Sequence, residues 1–184
     1  MIEEKYWDDA VVGESCVSPE YEVTEARVMA YADLTGDRTP IHTDEDYART
    51  TPFGTRVAHG LFGLSIADGL KTQSDMRFVP GMSLGWEWRF VAPIKLGDKV
   101  HVFFRVGSKR ESQSQPGWGI VFLPSELINQ RGEVVHKGEH RLMIPMRSAT
   151  WLKPCPWTAS ASSTTATTSP ARTCRAAWRR WAPT

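Results

Sequence analysis

The run from His59 to Ser74 carries Leu61, Phe62, Leu64, Ile66, Ala67 and Leu70, with Gly63 and Gly69 among them. Wound at helical pitch, it puts apolar or small residues on nearly every side, which predicts a helix enclosed by the rest of the fold. The two glycines weaken such a helix by roughly 1 kcal/mol each, so tertiary packing must hold it. Small residues also let a sheet wrap closely around it. The remainder of the chain has to supply that enclosure.

Past Pro80-Gly81 the hydrophobic period changes to two. Four β-rich runs follow, Met82–Val91, Lys99–Lys109, Trp118–Ile128 and Glu133–Pro145, separated by Pro93…Gly97-Asp98, Ser112–Gly117 and Asn129–Gly132. Turn chemistry between alternating runs predicts an antiparallel meander, and Pro124 predicts a bulge or an edge within the third run. Upstream, Ser15–Val23 has strand character, with Pro19 marking an edge or bulge. Thr24 is the expected N-cap of a short helix through Leu34, with Val28, Tyr31, Ala32 and Leu34 inward. Thr43 is the expected cap of a second helix with carboxylates in its first turn, and Pro52-Phe53-Gly54 reads as a turn. The order predicts an α+β domain, one buried helix under a curved antiparallel sheet, with an overhanging helix-loop segment before that helix.

The sequence divides into residues 1–147, read as this domain, and residues 148–184, a low-complexity basic tail. From Ser148 onward there are five basic residues (Lys153, Arg172, Arg175, Arg179 and Arg180) and no acidic one. The formal net charge is +1, so the body carries about −4, which argues against an electrostatic nucleic-acid binder. The tail lacks periodicity and apolar content sufficient for a core, so the expectation is poor order. A further expectation is that it was translated out of the natural reading frame of a GC-rich gene. Cys16, Cys155 and Cys174 form neither a disulfide framework nor a zinc motif. The acidic start lacks a secretory apolar segment, and no run reaches the ~18 apolar residues of a membrane span. A cytoplasmic setting is expected.

The chemistry concentrates in Gly36-Asp37-Arg38-Thr39-Pro40-Ile41-His42, answered by Ala58-His59-Gly60. Gly36 permits a turn forbidden to other residues. Pro40 fixes its own φ and pushes Thr39 into an extended conformation. A carboxylate and an imidazole therefore ride on a stiff loop. Gly60 opens the buried helix, where free amides favour developing negative charge. An acid/base pair with an oxyanion donor suits chemistry beside a carbonyl. Read in isolation, Asp37 serves equally as a turn-capping carboxylate and His42 as a packed histidine. His42-Thr43-Asp44-Glu45-Asp46 reads better as a solvated helix start than as metal ligands, since no converging second histidine is evident.

The run Tyr31…Thr35-Gly36-Asp37-x-Thr39-Pro40-Ile41-His42-x-Asp44, then Ala58-His59-Gly60, resembles the hydratase signature of the MaoC-like family. Arg89-Phe-Val-Ala-Pro-Ile-Lys-Leu-Gly-Asp98 and Asn129-Gln-x-Gly-Glu133-Val-Val extend the resemblance, which covers about Tyr6 to Met146. The resemblance implies a single hotdog domain, often dimeric, and an (R)-specific enoyl-CoA hydratase or acyl-thioester dehydratase. It implies Asp37 as base, His42 as its partner and the Gly60 amide as oxyanion donor, with syn addition of water to a trans-2-enoyl thioester. The substrate would be an acyl-CoA or acyl-carrier-protein thioester, with no metal and no redox cofactor. Thr39 departs from the family's Asn, and Thr39, Phe53, Phe62, Leu64 and Trp86 are the candidates for substrate contact. His59 is expected to orient the loop. A homodimer or higher homo-oligomer is expected, with no nucleic-acid or membrane partner. The alternatives are a hotdog acyl-CoA thioesterase and a non-catalytic acyl-thioester-binding or partner subunit.

Overall fold

The computed structural model describes residues 4–149. The expectations for the tail fall outside the described residues apart from Ser148 and Ala149.

Eleven elements follow in chain order among the described residues: β1 (Ser15–Val17), β2 (Tyr21–Glu22), α1 (Glu25–Thr35), α2 (Pro40–Thr43), α3 (Glu45–Arg49), α4 (Gly60–Lys71), β3 (Met82–Phe90), β4 (Lys99–Arg105), β5 (Ser108–Glu111), β6 (Trp118–Asn129) and β7 (Val134–Pro145). The strands form one antiparallel sheet in the order β1-β4-β6-β7-β3, with β2 also paired to β4 and β5 to β6. The α4 residues Phe62, Ile66, Ala67 and Leu70 pack in one core with Val100, Val102 and Phe104 of β4, Val121, Leu123 and Leu127 of β6, and Val135 and Ile144 of β7. The helix demanded by the sequence is α4, but the sheet covers one face of it only: Phe62, Gly63, Ile66, Ala67, Leu70 and Lys71 are buried, whereas Leu61, expected inside, is 60% exposed.

Gly63 shows how closely the sheet approaches. A Cβ there would stand 2.4 Å from His136 Cε1 and 2.7 Å from Ile94 Cδ1. A Cβ at Gly69, two turns on, would meet nothing within 4 Å. Only the first glycine is required by packing.

Several boundaries differ from expectation for identifiable reasons. Pro19 splits the first strand into β1 and β2, both on β4. The second run divides into β4 and β5, and Pro124 in β6 faces the gap between them: Phe104 pairs with Ser125 and Ser108 with Phe122. The donor that proline lacks is thus placed at an interruption of the ladder, while the irregularity in β6 falls between Leu127 and Ile128. Leu34, expected inward, is 83% exposed because α1 buries only Val28 and Ala32. Asp44, not Thr43, caps α3, accepting from the Tyr47 amide at 3.0 Å. A carboxylate satisfies that N-terminal donor and the helix dipole together.

The overhang comprises α1, α2 and α3. Gly36 ends α1 in the left-handed conformation, φ 76°, and donates its N–H to Ala32 O. Arg56, on the segment returning to α4, joins Glu25 of α1 at 2.8 Å and Glu45 of α3 at 3.4 Å. The Glu45 carboxylate also accepts from the Arg56 amide and the Thr55 hydroxyl. These contacts fix the loop between α1 and α2, which carries Asp37.

Candidate active site

Asp37 follows the α1 cap on the exposed side of the loop. Its Oδ1 accepts from the Thr39 hydroxyl at 2.6 Å and the Thr39 amide at 3.2 Å. Those two bonds stabilise the carboxylate and hold its pKa below the ordinary value. Thr39 is the N-cap residue of α2 but makes no side-chain cap. Its hydroxyl is directed to Asp37 instead.

His42 lies on α2, half-buried. Its Nδ1 is 2.7 Å from the carbonyl oxygen of Val57. An oxygen that can only accept assigns the proton to Nδ1 and leaves Nε2 with a lone pair. Burial holds the imidazole below its ordinary pKa, the Val57 bond and Asp37 acting in the opposite sense and His59 in the same sense. At neutral pH the pair is therefore an ionised carboxylate beside an uncharged imidazole.

His59 is buried at the head of α4. Its Nε2 is 2.9 Å from the Asp37 carbonyl oxygen and 3.9 Å from Asp37 Oδ2, and its ring centroid is 3.9 Å from that of His42. Tyr31 covers it, ring centroid to ring centroid 5.2 Å. One donor atom from each of Asp37, His42 and His59 falls within 4.8 Å of the others. Two histidines and a carboxylate can bind a metal, but the hydrogen bonds here compete with that use. His59 Nε2 faces a carbonyl and must carry its proton, while His59 Nδ1 is buried with no partner among the described residues. A bound ion would have to break the contact that fixes Asp37. Asp44 is occupied as a helix cap and Glu45 with Arg56.

Gly60 is the first residue of α4, and His59 gives no side-chain cap. Its amide therefore belongs to the first-turn donors that have no intrahelical acceptor. Gly60 lines a chamber of about 290 Å³ with Phe53, Val57, Ala58, Phe90, Ile94 and His136 among its walls. A Cβ at Gly60 would stand 2.7 Å from the Phe90 ring. The segment Val57–Gly60 links chamber to polar pair: the Val57 carbonyl fixes His42, the His59 ring fixes Asp37, and Val57, Ala58 and Gly60 form a wall.

The structure thus brings Asp37, Thr39 and His42 together around His59, whereas of the candidates only Gly60 and Phe53 line the chamber; Asp37, Thr39 and His42 are not among its lining residues. Phe62 packs into the core against Tyr21 and Tyr31. Phe62, Leu64 and Trp86 are not among the residues lining this chamber. Trp86 stacks on His140 at 4.2 Å, with Lys71 Nζ 4.1 Å from its ring centroid. Phe90 and His136 were missed by sequence reasoning. They pair directly across β3 and β7, and strand alternation offered the signal, since inward positions on the two strands must face α4. Burial pushes His136 down to about 4.

A helix with one face packed on an antiparallel sheet, and a polar loop over its N-terminus, defines a hotdog protein. A Mycobacterium tuberculosis protein described as having a double hotdog fold overlaps 98% of this chain and 58% of its own, with a TM-score of 0.64 at 20% identity. Residues 9–120 match the MaoC like domain, and the chain belongs to that family. The chain is 31% identical over 146 residues to the (R)-specific enoyl-CoA hydratase of Rhodospirillum rubrum, spanning 77% of this chain and 93% of that protein. The crystal structure of the MaoC-like dehydratase from Rhodospirillum rubrum superimposes with a TM-score of 0.71 at 30% identity, covering 79% of this chain and 99% of that one. With two further curated relatives the matched stretch spans 60% and 32% of the relative's own length.

Proposed function

We propose that the protein is a hydro-lyase that reversibly adds water to a trans-2-enoyl thioester, giving an (R)-3-hydroxyacyl thioester. The observation that carries this reading is the convergence of the Asp37 carboxylate and the His42 imidazole on His59, the residue that precedes the Gly60 amide at the head of α4. Both groups are hydrogen-bond acceptors in the states described above, so together they hold the two hydrogens of one water and turn its oxygen lone pair outward. That oxygen bonds to C3 as the C2=C3 π bond breaks. One proton leaves the water and is delivered to C2 on the same face. Between these events negative charge collects on the thioester oxygen, where the Gly60 N–H receives it; removal of such a donor typically costs about 3–4 kcal/mol of transition-state stabilisation.

Phe53, Phe90 and His136 would shape the space around the thioester and the first acyl carbons. The thioester carrier is CoA or acyl carrier protein, and the addition of water uses neither metal nor redox cofactor. The reading extends to a role in fatty acid metabolism, which chemistry on an acyl thioester suits, and to a cytoplasmic setting. No helix among the described residues is long and apolar enough to cross a membrane. Strand β3 ends the sheet order, paired only with β7 among the described residues, and exposes Leu84 and Phe90. An unpaired edge with apolar side chains suits pairing with a second copy, and the expected assembly is a homodimer.

Crotonyl-CoA incubated with the protein tests this reading. Loss of enoyl absorbance without release of free thiol is the expected result. Release of thiol would identify a thioesterase, and no change in either signal would identify a binding subunit.

A further inference from the structure

At the opposite end of α4 lies a second chamber, of about 380 Å³. Its walls are mostly apolar, with Met76, Phe78, Phe104 and Leu123 among them. Its polar end is built on Lys71, the last residue of α4, which is only 7% exposed. Lys71 Nζ lies 2.6 Å from His140 Nδ1, and His140 Nε2 lies 2.8 Å from Ser83 Oγ.

An ammonium can only donate, so His140 accepts at Nδ1 and donates from Nε2 to Ser83. The Ser83 hydroxyl proton is left to point elsewhere. This order is wrong for a nucleophilic serine, because a cation behind the imidazole weakens it as a base. It is right for presenting donors: the ammonium, the serine hydroxyl and the Arg77 guanidinium border one cavity. Two carboxylates also border it, Glu4 and Asp68. Asp68 is 3.4 Å from Lys71 Nζ, and its side chain is half exposed to solvent. Burial pushes Lys71 down to about 8, with Asp68 opposing, and burial together with Lys71 pushes His140 down to about 4. At neutral pH Lys71 is thus a poorly solvated cation, and a second anion would stabilise it.

One face of α4 runs between the two chambers, which share no lining residue. Leu61, Leu64, Ser65, Asp68 and Thr72 recur at helical spacing and are exposed or half-buried. This stripe leads from the Gly60 amide to the Lys71 chamber over about 16 Å of helix. An apolar chain starting at Gly60 and lying along it would bring its far end to a donor-lined pocket.

We propose that the Lys71 chamber receives the distal end of the acyl chain and selects chains that end in a carboxylate, held by Lys71 and Ser83. This assignment rests on the hydratase reading for its substrate, but the chamber itself can be tested without turnover.

The test compares trans-2-enoyl-CoA thioesters in a length series, each made with a terminal carboxylate and with a terminal methyl group. In the wild-type protein the ratio of kcat/KM for carboxyl-ended over methyl-ended substrate is expected to exceed unity and to peak at one chain length. Lys71→Met should lower that ratio by about tenfold or more, the loss of a charged hydrogen bond. The ratio cancels any general loss of activity. Ser83→Ala, which deletes one hydroxyl on the rim, should lower it about fivefold and serves where Lys71→Met does not fold. A ratio that never exceeds unity, or one that both variants leave unchanged, overturns the proposal. If no thioester is hydrated at all, the hydratase reading fails, and calorimetric titration with free α,ω-dicarboxylates decides the chamber. Lys71-dependent heat then sustains the carboxylate site, and its absence at every length removes it.

Discussion

His59 Nε2 meets the main-chain carbonyl of Asp37 at 2.9 Å. One buried ring at the start of α4 therefore fixes the height of the loop that carries the carboxylate. The same ring packs against His42 at 3.9 Å. Replacing it with Phe keeps a flat, slightly larger ring in the site and removes the hydrogen bond. A displacement of about 1 Å at a reacting group can cost roughly a hundredfold in rate, so His59→Phe should lower kcat by about that order while KM changes little. Steady-state kinetics on an enoyl-CoA checks the split; a change confined to KM would assign His59 to substrate binding instead.

Thr39 holds Asp37 through both its hydroxyl and its amide. Thr39→Val removes only the hydroxyl bond. The Asp37 pKa should rise toward that of an ordinary carboxylate, and kcat should fall several-fold. Thr39→Asn restores a side chain able to donate at the same place and should retain activity. Titration of Asp37 by carboxyl-carbon NMR in the three proteins reads the shift independently of turnover.

The pH profile follows from His42. Burial depresses its pKa, so the uncharged form predominates at neutral pH and is lost as pH falls through that depressed value. Protonated His42 can no longer accept from water. The log of kcat/KM plotted against pH should be level near neutrality and drop on an acid limb whose midpoint lies below the 6.5 of an ordinary histidine. Asp37 is held below the ordinary carboxylate range by its two bonds from Thr39, so the acid limb is assigned to the imidazole. A midpoint above 6.5 would contradict this assignment.

The two glycines inside α4 should respond in opposite directions. At Gly63 a methyl group would enter the space of His136 and Ile94. Overpacking of that kind costs about 1–3 kcal/mol, so Gly63→Ala should lower stability in chemical denaturation. At Gly69 a methyl group meets open space, and Gly69→Ala should raise stability by up to roughly 1 kcal/mol through helix propensity.

The contrast between those glycines also marks what the sequence could reveal. The α4 helix and the four strand runs were legible because period and turn chemistry are local. So was the Asp37–His42 loop, since Gly36 and Pro40 constrain the backbone wherever they occur. The chain could not disclose that Gly63 touches the sheet and Gly69 does not, because that depends on which side of α4 faces β7. Trp86 and Phe62 looked like chamber residues for the same reason: an apolar side chain carries no label for cavity or core. His136 and Lys71 were hidden by their types, since a histidine on a strand and a lysine at a helix end are ordinary until tertiary packing buries them.

The central claim is that Asp37 and His42 act on one water. Steady-state turnover of crotonyl-CoA by Asp37→Asn, His42→Ala and the double variant, each shown folded by circular dichroism, measures it most directly. Each single change should lower kcat by about 10²–10⁴, and the double variant should be little worse than either single one, as expected of groups working as a unit. Near-wild-type turnover in both single variants, or losses that multiply in the double variant, would contradict it.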